Sequence, residues 1–259
     1  WYAFPTPEEV NRRFCKNKEM LDIKTDQGFT KLLIVPFGMS LAKFRETMKK
    51  TLLTHYAENK LLATKKDATD PDERLALNTK TPLWVWDKYT DADTAGTLVY
   101  FPEVFDEDAK IHQGKTKQEI LKDTKQGFQI LLIEADPNIP AEGTEETIGT
   151  KQPRKRLAAG DAAEAYLRIL RTQPAYRDEE GLTPEAWMTQ FLLHLEETDQ
   201  VIDDSQGKGK ASFNLGGWFP ASGDVTDGSW GRDDAQAHLG RSGPMYQDSY
   251  CGSRSVVMI

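Results

Sequence analysis

The sequence contains only two cysteines, Cys15 and Cys251, one near each end. They could pair only if the termini meet, so both are expected as free thiols. No disulfide framework argues for secretion. Long apolar runs are also missing. The longest, Leu32 to Val35 and Ile130 to Ile133, fall far short of the roughly 20 residues that a helical membrane span needs. No signal peptide is visible, but the chain starts on Trp1 rather than Met, which leaves upstream residues and location open. Histidine is scarce: His55, His112, His194 and His238 stand alone, none at a metal-ligand spacing. Residues 223–259 lack lysine, glutamate, asparagine and phenylalanine, although the rest of the chain is rich in charge.

The 259 residues can bury a sizeable core, in one large domain or two ordinary ones. A hydrophobic share of 38% with 10% aromatics marks a folded chain rather than a disordered one. The net charge of −8, with dispersed basic residues, argues against nucleic acid as a partner. The local exception, Lys151-Gln152-Pro153-Arg154-Lys155-Arg156, reads as a solvated linker face.

Residues 1–150 read as an α/β region of uncertain fold and role, either separate or part of one elaborated domain. Phe29–Val35 is a β-rich run stopped by Pro36 and Gly38. Ser40 can cap a helix whose stripe is Leu41, Phe44, Met48 and Leu52. Leu83–Trp86, Thr97–Phe101 and Phe128–Ile133 are further strands, and a helix is expected between Gly114 and Lys122. Thr25-Asp26-Gln27-Gly28-Phe29 is echoed by Thr124-Lys125-Gln126-Gly127-Phe128, each ahead of a buried strand. Two copies do not make a repeat protein. Pro137 to Gln152 is the best linker candidate. Beyond it, Asp161-Ala162-Ala163-Glu164 predicts a capping-box variant and Thr183-Pro184 a capped start with proline in the first turn. From residue 207 the chain becomes glycine-rich, loop-rich β structure.

Familiar catalytic and metal motifs are incomplete. Gly114-Lys115-Thr116 lacks the earlier glycine of a phosphate-binding loop, because Ala109 stands there. Asp203-Asp204-Ser205-Gln206-Gly207-Lys208 lacks the glycine and glutamate of an EF-hand. A structural calcium in the aspartate-rich loops stays open; no other cofactor and no metal site is expected. Ser229 has no G-x-S-x-G elbow, and no nucleophile, base and orienter assemble. No catalytic residue is assigned, and the chain is not read as an enzyme.

The tail supplies the positive signal. Asp234, Gln236 and His238 alternate with Ala235, Ala237 and Leu239, so an extended chain would turn small residues inward and unrelated polar ones outward. Asp224, Thr226, Asp227, Ser229, Gly231, Asp234, Gln236, His238, Arg241, Gly243, Met245, Tyr246, Gln247, Asp248 and Tyr250 form the candidate exposed set. This mixture of rigid aromatics and small polar groups is the repertoire of a paratope. Trp218, Gly228, Trp230, Arg232, Gly252 and Arg254 read as scaffold, with Ala235, Ala237, Leu239, Gly240 and Val256 packing behind them.

Gly228-Ser229-Trp230, then Arg232, then Gly252-Ser253-Arg254-Ser255-Val256, resemble the C-terminal end of formylglycine-generating-enzyme-type C-type lectin folds. That family carries R-G-G-S-W and a closing G-F-R; this chain has Thr226-Asp227 in place of Arg-Gly, and Ser253 in place of the aromatic. The interleaved G-x-W-x-R-D-x-A-x-A-x-L-G-x-S-x-P pattern more closely resembles the variable proteins of diversity-generating retroelements. In these, adenine-directed mutagenesis rewrites chosen codons of a C-terminal segment. A tail without asparagine or lysine fits overwritten adenines. The resemblance covers Gly216 onward, and more loosely the helices after Asp161. It implies an α+β chain with a lectin-type domain over 151–259 and a variable region over about 223–259. The implied function is binding of a protein or cell-surface ligand, with Tyr246, Tyr250, Arg241 and His238 dominating the energy. The alternatives are a non-variable lectin-like structural or surface protein of a phage or cell, and a formylglycine-generating-type oxidase. Known oxidases of that type use a cysteine pair for copper chemistry, and the C-terminal half has Cys251 alone.

Overall fold

Phe29–Val35 and Gln129–Glu134, the strands that follow the two echoed turns, lie side by side and antiparallel, with Leu33 opposite Leu131. In this computed structural model, which describes residues 4–259, Trp1 to Ala3 lie outside the described residues. The chain runs α1 (Pro7–Lys16), α2 (Lys18–Asp26), β1 (Phe29–Val35), α3 (Leu41–Ala57), β2 (Leu83–Val85), α4 (Ala92–Ala95) and β3 (Val99–Tyr100). It continues through α5 (Ala109–His112), β4 (Lys115–Thr116), α6 (Lys117–Thr124), β5 (Gln129–Glu134), β6 (Thr147–Ile148) and β7 (Arg154–Lys155). Then come α7 (Ala163–Thr172), β8 (Glu179–Gly181), α8 (Pro184–Thr198), β9 (Ala211–Phe219), β10 (Asp224–Gly231), β11 (Gln236–Ser242), β12 (Cys251–Ser253) and β13 (Ser255–Met258). Helices and largely antiparallel sheets make this an α+β chain.

One sheet has the order β1-β5-β13-β8, and the larger has β2-β11-β10-β9-β3-β4 with β12 also paired to β9. Both draw strands from before and after residue 150. β2 joins the tail strand β11 in parallel, and β13 returns the end of the chain to β5.

Between the sheets runs α8. Thr183 caps it, its hydroxyl accepting from the Ala186 amide at 3.1 Å, with Pro184 in the first turn. Trp187, Met188, Phe191 and Leu195 are all buried. They meet Leu33 and Ile133 from one sheet, Trp230 and Leu239 from the other, and Phe44 and Met48 from α3. A helix apolar on several sides is held by burial on all of them, each such side chain stabilising the fold by roughly 1.5–3 kcal/mol. α3 starts as expected, with Ser40 accepting from the Lys43 amide. α7 covers the opposite face of β9 and β10 through Tyr166 and Leu170, against Phe213, Trp218 and Val225. Its start differs from expectation. Ala162 rather than Asp161 is the cap residue, and its methyl side chain can accept no cap bond; Asp161 stands one position earlier, where its amide donates to the Tyr166 hydroxyl at 3.0 Å.

The basic run 151–156 is a solvated face only in part: Lys151 and Lys155 are exposed, but the two arginines are not. Arg154 is buried, its guanidinium reaching Glu134 at 2.7 Å and Glu179 at 2.9 Å. Arg156 pairs with Glu134 at 2.7 Å, and Lys24 meets Glu179 at 2.7 Å. Buried carboxylates demand such partners, and these lie too far along the chain to be read from the run itself. The preceding segment is pinned through Asp26, which accepts from the Thr150 and Lys151 amides at 2.6 and 2.9 Å. No helix among the described residues is long and apolar enough to cross a membrane.

Candidate functional site: the outer face of the C-terminal hairpin

β10 and β11 pair with Gly228 opposite Leu239, Trp230 opposite Ala237, Ser229 opposite His238 and Asp227 opposite Gly240. Cross-strand partners share a face, so the hairpin sorts its residues into two sets. Gly228, Trp230, Ala237 and Leu239 face α8 and are buried. Gly228 has no room for a side chain, because a Cβ there would lie 2.2 Å from Cε2 of Trp187. Gly252 is similarly confined, with Ile139 Cγ2 at 2.7 Å and Ala159 Cα at 3.0 Å from a built Cβ. Trp218 is buried, its indole donating to the Asp106 carbonyl at 3.0 Å.

The two scaffold arginines are tied to neighbouring residues. Arg232 grips Asp204 through Nε to Oδ1 at 2.9 Å and Nη2 to Oδ2 at 2.7 Å, and also reaches Glu73 at 2.7 Å. Arg254 grips Asp203 through Nη1 to Oδ1 at 2.8 Å and Nη2 to Oδ2 at 2.5 Å. Asp203 in addition accepts from the Trp187 indole at 2.8 Å, and its carbonyl accepts from the Trp230 amide at 2.9 Å. Bidentate pairs of this kind fix orientation as well as charge. Asp203 and Asp204 are therefore structural anchors. Sequence reasoning met them only as a failed calcium motif, and nothing local identifies partners 28 and 51 positions away.

On the outer face, Asp227, Ser229, Gly231 and His238 are half-buried and Asp234 is exposed. His238 Nε2 lies 2.8 Å from Asp234 Oδ2. Burial pushes the Asp234 carboxyl up, but hydrogen bonds from Gln236 and His238 outweigh it and hold its pKa below the ordinary value. Asp227 is half-buried as a residue, yet its carboxyl end is enclosed. Burial pushes its pKa up to about 6, against a counteracting 2.6 Å hydrogen bond from Ser242. Beyond β11, residues 243–250 arch over this face. The Pro244 carbonyl accepts from the Glu164 amide at 3.0 Å, and Gln247 donates to the Gly160 carbonyl at 2.6 Å. Met245, Tyr246 and Tyr250 project from the arch with 72%, 49% and 58% exposure. Asp248 orders it by accepting from the Tyr246 hydroxyl at 3.1 Å and the Tyr250 amide at 2.8 Å. Lys210 Nζ sits 4.9 Å from the Tyr250 ring. Around Gly243 there is open space. Arg241, expected on this face, is exposed but lies on the other one: it is the cross-strand partner of the buried Thr226 and sits 5.6 Å over Trp86, on the α8 side of the hairpin.

Four other tail assignments need correction. Thr226 is fully buried, because its hydroxyl donates to the Asn214 carbonyl at 2.7 Å where β9 and β10 shift register. Asp224 is buried at the start of β10 and pairs with Arg241 at 3.2 Å. Gln236 is buried, its amide donating to Asp234 at 2.7 Å. Ala235 does not pack inward from a strand. It stands in the turn at φ +54 and is only half-buried, so the strand and its alternation begin at Gln236.

No family model, no curated protein and no solved structure matches this chain. The site is therefore read from its own geometry. Among the described residues, no group of three or more histidine, cysteine, aspartate or glutamate side chains is placed to hold a metal ion. Cys15 is exposed and Cys251 half-buried, both as free thiols; burial pushes the Cys251 thiol up to about 12. A residue absent from the sequence-based set also belongs to this face. Trp84 on β2 lies in register with His238, and the only signal for it was an exposed position in a strand more than 150 residues upstream.

Proposed function

We propose that the outer face of the β10–β11 hairpin and the arch 243–250 form a ligand-binding surface whose side chains vary while the frame beneath is held. The protein would then be a variable protein of a diversity-generating retroelement, with a C-type lectin-type fold over its C-terminal part. The observation that carries this reading is the division of labour in the tail. Gly228 and Gly252 have no room for a side chain, Trp230 is fully buried, and Arg232 and Arg254 grip the buried Asp204 and Asp203. Ser229, Asp234, His238, Gly243, Met245, Tyr246, Gln247, Asp248 and Tyr250 are exposed or half-buried. The return of β13 to β5, enclosing two helices and the hairpin strands, supports the fold part.

The proposed partner is a protein or cell-surface ligand, since a standard protein interface buries roughly 800 Å² per side and a patch of about ten residues can form its centre. Deep sequencing of the coding locus across a population tests the proposal. Substitutions should gather at adenine positions encoding the exposed set and spare the codons of Thr226, Gly228, Trp230 and Arg254. An even spread along the gene would reject it.

A further inference from the structure

Trp84 is not in the tail, yet its ring centroid lies 5.6 Å from that of His238, and the indole is 43% exposed. β2 holds it there by parallel pairing, with Leu83 opposite Ala237, Trp84 opposite His238 and Val85 opposite Leu239. The Trp86 amide to the Leu239 carbonyl at 3.0 Å and the Ala237 amide to the Pro82 carbonyl at 3.1 Å secure the register. The same imidazole touches Asp234, whose side chain is 41% exposed. Resting on the reading of this face as a binding surface, we infer that Trp84 is a fixed aromatic platform of the site, and that with Asp234 it receives an arginine side chain of a protein partner.

Three observations favour a cationic group. First, the tail's arginines are already engaged: Arg232 by Asp204 and Glu73, Arg254 by Asp203, Arg241 by Asp224 and Trp86. Asp227, Asp234 and Asp248 meet no lysine or arginine in an ion pair among the described residues, and with Lys210 as the nearby lysine the surface carries an excess of carboxylates over fixed cations. Second, an exposed indole beside a carboxylate offers a guanidinium both a π face and a bidentate acceptor. Third, Gln236 is buried against Asp234, and its Oε1 has no hydrogen-bond donor among the described residues. A buried acceptor without a donor is costly, and a guanidinium at Asp234 brings several N–H groups to that corner. Arginine fits better than lysine because its planar fork can stack and bond at once.

The test uses N-acetyl-arginine methylamide as the probe, followed through the indole N–H resonance of Trp84, which is assigned by its loss in Trp84→Phe. The arginine probe should shift that resonance saturably. N-acetyl-glutamate methylamide and glucose should leave it in place. Asp234→Asn should weaken the response about fivefold, the effect of one exposed ion pair, while the indole spectrum of the unliganded variant keeps its dispersion. No saturable shift with the arginine probe, an equal shift with glucose, or an unchanged response in Asp234→Asn would each overturn the inference. None of these outcomes bears on whether the tail codons vary, which the sequencing decides separately.

Discussion

Replacing Gly228 by alanine adds one methyl group where the structure has none to spare. A Cβ at this position would lie 2.2, 2.5 and 2.6 Å from Cε2, Cδ2 and Cζ2 of Trp187. Ordinary carbon contacts need about 3.5 Å or more, so the indole must retreat by about 1 Å. It is poorly placed to do so: it is fully buried on α8, and its N–H is held by Asp203, which Arg254 in turn clamps. Overpacking a rigid core typically costs 1–3 kcal/mol, and the fixed indole places this case at the upper end, about 3 kcal/mol. That is roughly a hundredfold change in the folding constant, or a fall in Tm of about 6–12 °C for a chain of this size. Urea and thermal unfolding, followed by circular dichroism, measure it. Gly243→Ala is the control in the same tail, since a Cβ there meets nothing within 4 Å, and its effect should stay within about 0.5 kcal/mol. Adding Trp187→Phe to Gly228→Ala should cost less than the sum of the two single changes, because the smaller ring vacates the clash. If Gly228→Ala unfolds at the wild-type urea concentration, the reasoning that the frame is sterically fixed is wrong.

Other perturbations probe the same architecture. Arg254→Ala strands the buried Asp203 carboxylate and should cost about 3–5 kcal/mol in urea unfolding, much more than an exposed ion pair. Thr226→Val removes a hydroxyl that donates to the Asn214 carbonyl and should destabilise by about 1–2 kcal/mol, whereas Ser229→Ala on the outer face should be near neutral. The Asp227 pKa of about 6 lies above its ordinary value, so its contribution to stability is present in full below the ordinary carboxylate range and is lost as pH rises through about 6. Asp227→Asn should remove that loss, making the variant relatively more stable above pH 6; a carboxyl NMR titration near the ordinary value would contradict this. Replacing Tyr246, Tyr250 and His238 together by alanine should abolish binding of a captured protein partner while leaving the unfolding midpoint nearly unchanged, whereas adding Arg241→Ala should lower the midpoint, because it strips the buried Asp224 of its cation.

Local chemistry carried much of the fold into the sequence. The β-rich run 29–35 and the caps Ser40 and Thr183 mark their elements because strand propensity and capping act over a few residues. Misreadings arose where a distant partner decides the outcome. The run ending in Arg156 looks solvated until Glu134 and Glu179 are brought beside it. Thr226 looks like any polar strand residue until the register shift against β9 gives its hydroxyl a buried acceptor. In the candidate site, the alternation of Gln236 and His238 against Ala237 and Leu239 was legible, since period two is a backbone property. Ala235 departs from the expected alternation because it is a positive-φ turn residue, and β11 starts only after it, at Gln236 rather than at Asp234. Trp84 could not be associated with the site, because parallel pairing to β11 is set by the whole sheet.

The adjacent anchors Asp203 and Asp204 have a consequence for length as well as composition. Arg232 and Arg254 fasten the two ends of the intervening stretch to neighbouring positions of the backbone, so its end-to-end distance is set by the clamp and not by how many residues it contains. The entropy of closing such a segment grows only with the logarithm of its length, about 0.6 kcal/mol for each doubling. Insertions or deletions between Gly243 and Tyr250, where the chain arches free of the sheet, would leave both fastenings in place. The frame can therefore accommodate loops of different reach without being rebuilt.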